Sequence, residues 1–260
     1  MAPVYEEYSI LQSHVGKILL KLLKIDEYDD VLDLGCGVGK LTKEIREITK
    51  GKVIGIDISE EMLKIARDNN KHLDILFDVK SAEEIEFKDC FDIIFCNSAF
   101  HWFNKPNEVL KRCYNALRKG GKIGIQAMAK TEYSPNFIRA LEEVKRDPRT
   151  GSIFSRFRNP FFLLEREEDY KKLLKDNGFE VVISKIKAIK TICTPEDAFK
   201  IFLSGLAAAY LSKDLYEVEI TEKYLEDFKE IIRINLEKQA DKEGKLKLIF
   251  NRVFLIGIKN

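Results

Sequence analysis

The sequence predicts an α/β fold: a doubly wound seven-stranded sheet, mostly parallel, with an antiparallel closing hairpin and a mainly helical cap built from insertions. Three observations lead there. Short continuous apolar runs alternate with helical periodicity from residue 31 to about 128, the rhythm of βαβ units. A glycine-rich turn, Gly35-Cys36-Gly37-Val38-Gly39, joins the first apolar run to the next helical pattern. Two long strand-like segments come late, one of them at the very end. Strands that are apolar throughout belong to sheets covered on both faces.

The elements follow in order. Residues 6–24 carry Ile10, Val15, Ile18, Leu19, Leu22 and Leu23 at helical spacing, so they read as an amphipathic helix. Val31–Leu34 is a short first strand, and Val53–Asp57 a second after the turn at Gly51-Lys52. Ser59, with Glu61 and Met62 behind it, starts the next helix, as a hydroxyl cap does. Leu73–Asp78 reads as the third strand and Phe91–Asn97 as the fourth. Pro106 fits the first turn of a helix running to Arg118, which Gly120-Gly121 ends before a fifth strand, Lys122–Met128;. A helix over Glu167–Asn177 stops at Gly178, Phe179–Lys190 is a long strand, residues 195–242 hold two or three helices, and Leu246–Ile258 closes the chain as a strand.

This divides the chain into a core at 1–129, cap or lid insertions at 130–165 and 195–245, and a return to the sheet at 166–194 and 246–260. Charged residues make up 33% of the chain yet sum to +1, which gives no global pull toward nucleic acid or an anionic membrane. Five cysteines, none in a CxxC pair, suggest free thiols in a reducing compartment and no disulfide framework. No spacing of ligating residues calls for a metal. No apolar run approaches the ~20 residues that span a bilayer, and the N-terminus does not read as a signal peptide. The expectation is a soluble, cytoplasmic monomer or homodimer acting on a small molecule, with no nucleic-acid or membrane partner.

A glycine turn after the first strand of an open sheet is where nucleotide-like ligands bind. The pattern here is GxGxG, with the third glycine one residue early for a dinucleotide fingerprint;. Asp33 precedes the loop and would oppose a pyrophosphate, but it suits a cationic ligand. Asp57 ends the second strand, where an acid can accept both hydroxyls of a ribose.

The segments VLDLGCGVGKLTKEI, VIGIDISEEMLKIARDN, FDIIFCNSAFHWF and VLKRCYNALRKGGKIGI together resemble the class I S-adenosylmethionine-dependent methyltransferases, over residues 31 to about 127. The resemblance implies S-adenosylmethionine as cofactor and S-adenosylhomocysteine as product. It places Asp33, Gly35 and Gly37, with Cys36 between the glycines, around the methionine moiety. It places Asp57 on the ribose and Ile58 and Met62 beside the adenine. The family often carries an Asp after the third strand for the adenine amino group; Ser81-Ala82 stand there in this chain, so that contact is weaker or made by backbone. Asn97 passes the reacting side of the cofactor.

Tyr5, Ser9 and Gln12 share one helical face;. Combined with Asn97-x3-His101-Trp102, they resemble a narrower group of carboxyl O-methyltransferases, similar to the trans-aconitate, malonyl-carrier-protein and juvenile hormone acid enzymes. The resemblance implies Gln12 and Trp102 as donors to an acceptor carboxylate. A carboxylate is a nucleophile at pH 7 and needs no base, so direct in-line displacement suffices. His101 has two readings, a packing residue or a base for an amine or hydroxyl acceptor in an alternative N- or O-methyltransferase. A non-catalytic cofactor-binding regulator is the third possibility. In the cap, Arg139, Arg156 and Arg158 are candidates to meet a second substrate carboxylate; nucleic-acid stacking and a plain aromatic packing strip compete with that. The apolar helix near Ala198–Leu211 would pack on the lid or on a partner subunit.

Overall fold

The computed structural model describes residues 10–260, with side chains from Ser13 onward. Tyr5, Ser9 and the side chain of Gln12 therefore lie outside the described residues. One sheet runs through the molecule. Its strands are β1 (Val31–Leu34), β2 (Val53–Asp57), β3 (Leu76–Val79), β4 (Phe91–Asn97), β5 (Leu117–Met128), β6 (Glu180–Cys193) and β7 (Leu246–Ile258), in the order β3-β2-β1-β4-β5-β7-β6. The first five pair in parallel, and β7 inserts antiparallel between β5 and β6. The helices are α1 (Ile10–Leu23), α2 (Lys40–Ile48), α3 (Glu60–Asn70), α4 (Pro106–Ala116), α5 (Pro135–Arg146), α6 (Gly151–Phe154), α7 (Glu167–Asp176), α8 (Pro195–Ser204), α9 (Ala207–Tyr210) and α10 (Glu222–Lys238).

The period of two along each strand sorts the core into layers. Val31, Ile93 and Phe95 face one side with Leu19 and Leu23 of α1 and Ile45 of α2. Leu32, Leu34, Ile94 and Cys96 face the other, under Leu110 and Cys113 of α4 and Leu174 of α7. Helices on both faces explain why β1, β2 and β4 read as continuous apolar runs. A third layer gathers Phe137 of α5, Phe202 of α8, Tyr210 of α9 and Phe228 of α10 around Phe250 and Phe254 of β7. The two insertions thus bury their apolar faces on each other and on the hairpin.

Several element boundaries differ from the sequence reading, among them β5, which begins at Leu117, and β6, which runs to Cys193. β3 begins at Leu76 because the chain is still turning at Leu73, whose N–H donates to the Asn70 carbonyl, and pairing with β2 starts only at Ile54 against Leu76. α4 stops at Ala116, two residues short of Arg118. Leu117 turns extended and pairs with Phe91, while the Arg118 guanidinium bridges Asp92 at 2.6 Å and Asp30 at 2.7 Å. The long helix expected near Ala198–Leu211 is interrupted at Gly205, which separates α8 from α9. Among the described residues, no helix is long and apolar enough to cross a membrane.

Candidate active site

The chain order of an open parallel sheet reverses between β1 and β4, and ligands bind in the crevice beyond the strand carboxyl ends at such a point. A cavity of about 650 Å³ opens there. Gly35, Gly37, Asp57, Ile58, Met62 and Asn97 line it, together with Ser81 and Ala82. The described structure thus brings together eight of the positions singled out in the sequence for the cofactor.

The loop between β1 and α2 is held against β2. The N–H groups of Gly35 and Cys36 both donate to the Ile56 carbonyl, at 2.9 and 3.0 Å. Gly35 has φ +77°, and a Cβ there would lie 2.4 Å from the Cβ of Ala99. Only glycine combines that backbone with that approach. Gly39 has φ +74°, but a Cβ there would meet Phe77, Ala66 and Asn70 at 2.9–3.0 Å. The third glycine therefore lets α2 pack against α3 and β3; it does not touch the cavity.

Asp57 is pinned from behind. One carboxylate oxygen accepts from the Gly37 N–H and the other from the Ser59 N–H, both at 2.9 Å. A carboxylate has about four lone-pair sites, so each oxygen retains capacity toward the cavity. Ile58 is 75% exposed, an apolar side chain in water beside Met62 and the turn at Ala82–Glu84. Ser81 commits its hydroxyl to Glu83, donating to the carboxylate at 2.5 Å and accepting from the Glu83 N–H at 3.2 Å. An adenine amino group at this wall would meet backbone or the acids Glu83 and Glu84, which also line the cavity.

Asp33 and Cys36 are placed differently from the expectation. Neither is among the lining residues. Asp33 is buried behind the loop, where the Thr42 hydroxyl donates to it at 2.6 Å. Burial pushes its carboxyl up to about 7, against the Thr42 hydrogen bond and with some help from the Asp57 charge. The Cys36 thiol turns toward β2, within 2.9 Å of where a Gly55 Cβ would sit, and burial raises it well above the usual thiol range. Asp33 can act on a ligand through the loop it braces; the Cys36 side chain cannot.

At the other end of the crevice, the turn Phe100–Trp102 presents His101 and Trp102 to the cavity. Trp102 packs edge-on against Phe161 at 4.9 Å, and the Phe162 N–H donates to the His101 carbonyl at 2.9 Å. His101 is buried, and its Nδ1 has no hydrogen-bond partner among the described residues. Burial, then the Arg252 charge, hold its imidazole well below the ordinary histidine range. It is neutral at pH 7 and a weak base. Beyond it the cavity runs under the third layer, past Met128, Tyr133, Phe137, Leu206 and Phe250 to Arg252.

The three cap arginines do not reach this space. Arg139, Arg156 and Arg158 are exposed, none lines the cavity, and Arg158 donates to the Asp214 carbonyl at 2.9 Å. Phe154 and Phe157 stack on each other and pack on Tyr210, so 154–162 is an aromatic packing strip. Among the described residues the buried cation of the cavity wall is Arg252, which sequence reasoning passed over within the mainly apolar β7.

The lining tests whether S-adenosylmethionine fits. Glycines at the loop admit a backbone-close ligand, Asp57 offers acceptors for a ribose diol, and Asp57, Glu83 and Glu84 make this end acidic, which suits a cationic ligand. The residues present fit the group.

Comparison with known proteins agrees. The family model described as methyltransferase domain matches residues 31–121. The chain is 28% identical over 133 residues to the malonyl-[acyl-carrier protein] O-methyltransferase of Acetivibrio thermocellus, covering 50% of this chain and 47% of that relative. It spans about half of that relative's length. It is 25% identical over 233 residues to the juvenile hormone acid O-methyltransferase of Bombyx mori, covering 86% and 79%. The fold is shared with the YcgJ protein of Bacillus subtilis, with a TM-score of 0.65 at 17% identity over 95% of this chain and 99% of that one. Residues 31–121 thus match a methyltransferase domain, and the chain is similar over that region and beyond to S-adenosylmethionine-dependent methyltransferases.

Proposed function

We propose that the protein transfers the methyl group of S-adenosylmethionine to a carboxylate oxygen of a small molecule. The observation that carries this reading is the absence of a competent base where the acceptor would stand. Among the described residues lining the acceptor half of the cavity, no side chain is acidic, and the one imidazole, His101, is a weak base. A hydroxyl acceptor would need a group to take its proton as it reacts, and an ammonium would first have to give one up. A carboxylate needs neither.

S-adenosylmethionine supplies a methyl group on a sulfonium leaving group. With that cofactor bound, a carboxylate oxygen would take the methyl with the carbon–sulfur electron pair left on sulfur, and no residue would have to remove a proton. The protein's part is alignment and exclusion of water. Trp102 offers an indole N–H as a neutral donor, and Gln12 is proposed to join it from α1. Neutral donors orient a carboxylate while leaving more of its nucleophilic charge than a bound cation would. The acceptor carboxylates in the names of the two relatives, malonyl and juvenile hormone acid, support the reading.

Incubation with methyl-labelled S-adenosylmethionine and a panel of carboxylic acids tests it. The expected product is a base-labile methyl ester. Base-stable label on an amine or hydroxyl acceptor would replace this reading with the N- or O-methyl alternative. Trp102→Phe removes the N–H while keeping a ring beside Phe161. It should lower kcat about tenfold or more, the scale of one lost hydrogen bond to a charged group, with cofactor affinity unchanged.

A further inference from the structure

The cavity's charged lining is uneven: Lys80 and the exposed Lys105 also line it, and its one buried cation among the described residues is Arg252. Its acidic lining residues, Asp57, Glu83 and Glu84, all stand at the end that fits the cofactor. The opposite end holds Arg252, only 5% exposed, with its guanidinium 5.5 Å from the Phe250 ring centroid. The start of α5 faces the same part of β7. The Asn251 N–H donates to the Tyr133 carbonyl at 2.8 Å, the Ile249 N–H donates to Asn136 Oδ1 at 3.1 Å, and the Phe137 and Phe250 rings lie 5.7 Å apart. The first turn of α5 carries no acidic residue, and the hydroxyl of its cap residue Ser134 is buried with no hydrogen-bond partner among the described residues. A buried guanidinium in the cavity wall favours an anion;.

Strand register places this end away from the reacting end. Asn97 pairs with Gln126, and Met128 pairs with Arg252. Arg252 is thus two strands across and two residues further along than Asn97, a backbone separation on the order of 10 Å at the usual sheet spacings. Between them the wall is apolar: Met128, Tyr133, Phe137, Leu206 and Phe250.

We infer that the acceptor is a dicarboxylic acid with an apolar spacer, and that Arg252 is a specificity-determining residue that holds the carboxylate that is not methylated. This rests on the carboxylate reading above and names its substrate class. One carboxylate lies at Trp102, the spacer fills the apolar stretch, and the distal carboxylate meets the planar guanidinium fork. The transfer converts a diacid to its monomethyl ester. The reaction stops there, because a second turn would place the neutral ester on Arg252.

The test is a length series of straight-chain α,ω-diacids against monoacids of the same length, with labelled S-adenosylmethionine and the intact protein. The wild type is expected to favour diacids at least tenfold in kcat/KM, with an optimum at intermediate length and the monoester as sole product. Arg252→Met should erase that preference mainly through a raised KM for diacids, and Arg252→Lys should restore part of it. A wild type that methylates monoacids as well as diacids at every length overturns the inference and leaves the carboxylate reading standing, whatever the variants do. If neither class gives a base-labile ester, the carboxylate reading falls and takes the inference with it.

Discussion

Gly35 and Asp57 line the end of the cavity proposed to take the cofactor, and both stand out in the sequence by residue type at a fixed place. Gly35 has a left-handed φ and faces Ala99 at contact distance. Gly35→Ala should therefore destabilise the fold by about 1–2 kcal/mol for the backbone alone, more with the clash, and weaken S-adenosylmethionine binding; urea unfolding and a binding titration check both. Other roles at this scale were not legible. Asp33 lies near the end of one short apolar strand and Asp57 ends another, and nothing in the letters says that one side chain turns behind the loop to Thr42 while the other lines the cavity. The pleat turns both to one face, since Asp33 pairs with Gly55; what differs is that Asp33 lies within β1, behind the loop, whereas Asp57 ends β2 at the crevice. Arg252 was missed because nothing in the letters separates it from the exposed Lys247 of the same strand; only the folded register buries it beside the start of α5.

At the scale of elements, the strands that are buried on both faces were read with correct limits, as β1, β2, β4 and β7 show. Where a boundary is set by a tertiary partner, the sequence misled. β3 starts where β2 becomes available to pair, and α4 ends where Arg118 is drawn to Asp30 and Asp92. α8 is the cap element with the clearest local start. The Thr194 hydroxyl accepts from the Asp197 N–H at 3.1 Å, and the Asp197 carboxylate accepts from the Thr194 N–H at 3.3 Å, a reciprocal capping box with Pro195 in the first turn;. Thr194→Ala should cost about 1 kcal/mol of stability. Because α8 carries Ile201, Leu203 and Ser204 to the acceptor side of the cavity, the same change should raise KM for the acceptor and leave cofactor affinity alone. Equal losses in both affinities would show that α8 braces the whole crevice.

Over the whole molecule, two buried groups give stability opposite dependences on pH. Asp33 is raised from 3.8 to about 7 in the folded state, so the fold binds a proton there that the unfolded chain has released. Its contribution is full below pH 3.8 and is lost as pH rises to about 7. His101 is held well below 6.5, so the unfolded chain takes up a proton that the fold refuses, and stability falls as pH drops below 6.5. Asp33→Asn removes the first dependence. Between pH 4 and 7 the wild type should lose stability relative to that variant as pH rises, with a slope of up to about 1.4 kcal/mol per unit; parallel urea-unfolding curves would contradict the burial of an ionisable Asp33. The βαβ rhythm stops after residue 129 in the sequence, and helices from the segments that follow pack together over β7. The chemistry of those segments was not legible. Their aromatic and basic residues form a packing strip, and their contribution to the site is the apolar wall over β7.

The central claim is that the crevice between β1 and β4 is an S-adenosylmethionine site built on Asp57. Calorimetric titration of the protein and of Asp57→Ala with S-adenosylmethionine and, separately, with NAD addresses it directly. One site per chain for S-adenosylmethionine is expected, weakened by roughly 1.5–3 kcal/mol in the variant as its charge-assisted hydrogen bonds are lost, with no heat from NAD. Unchanged affinity in Asp57→Ala, or binding of NAD in place of S-adenosylmethionine, would contradict it.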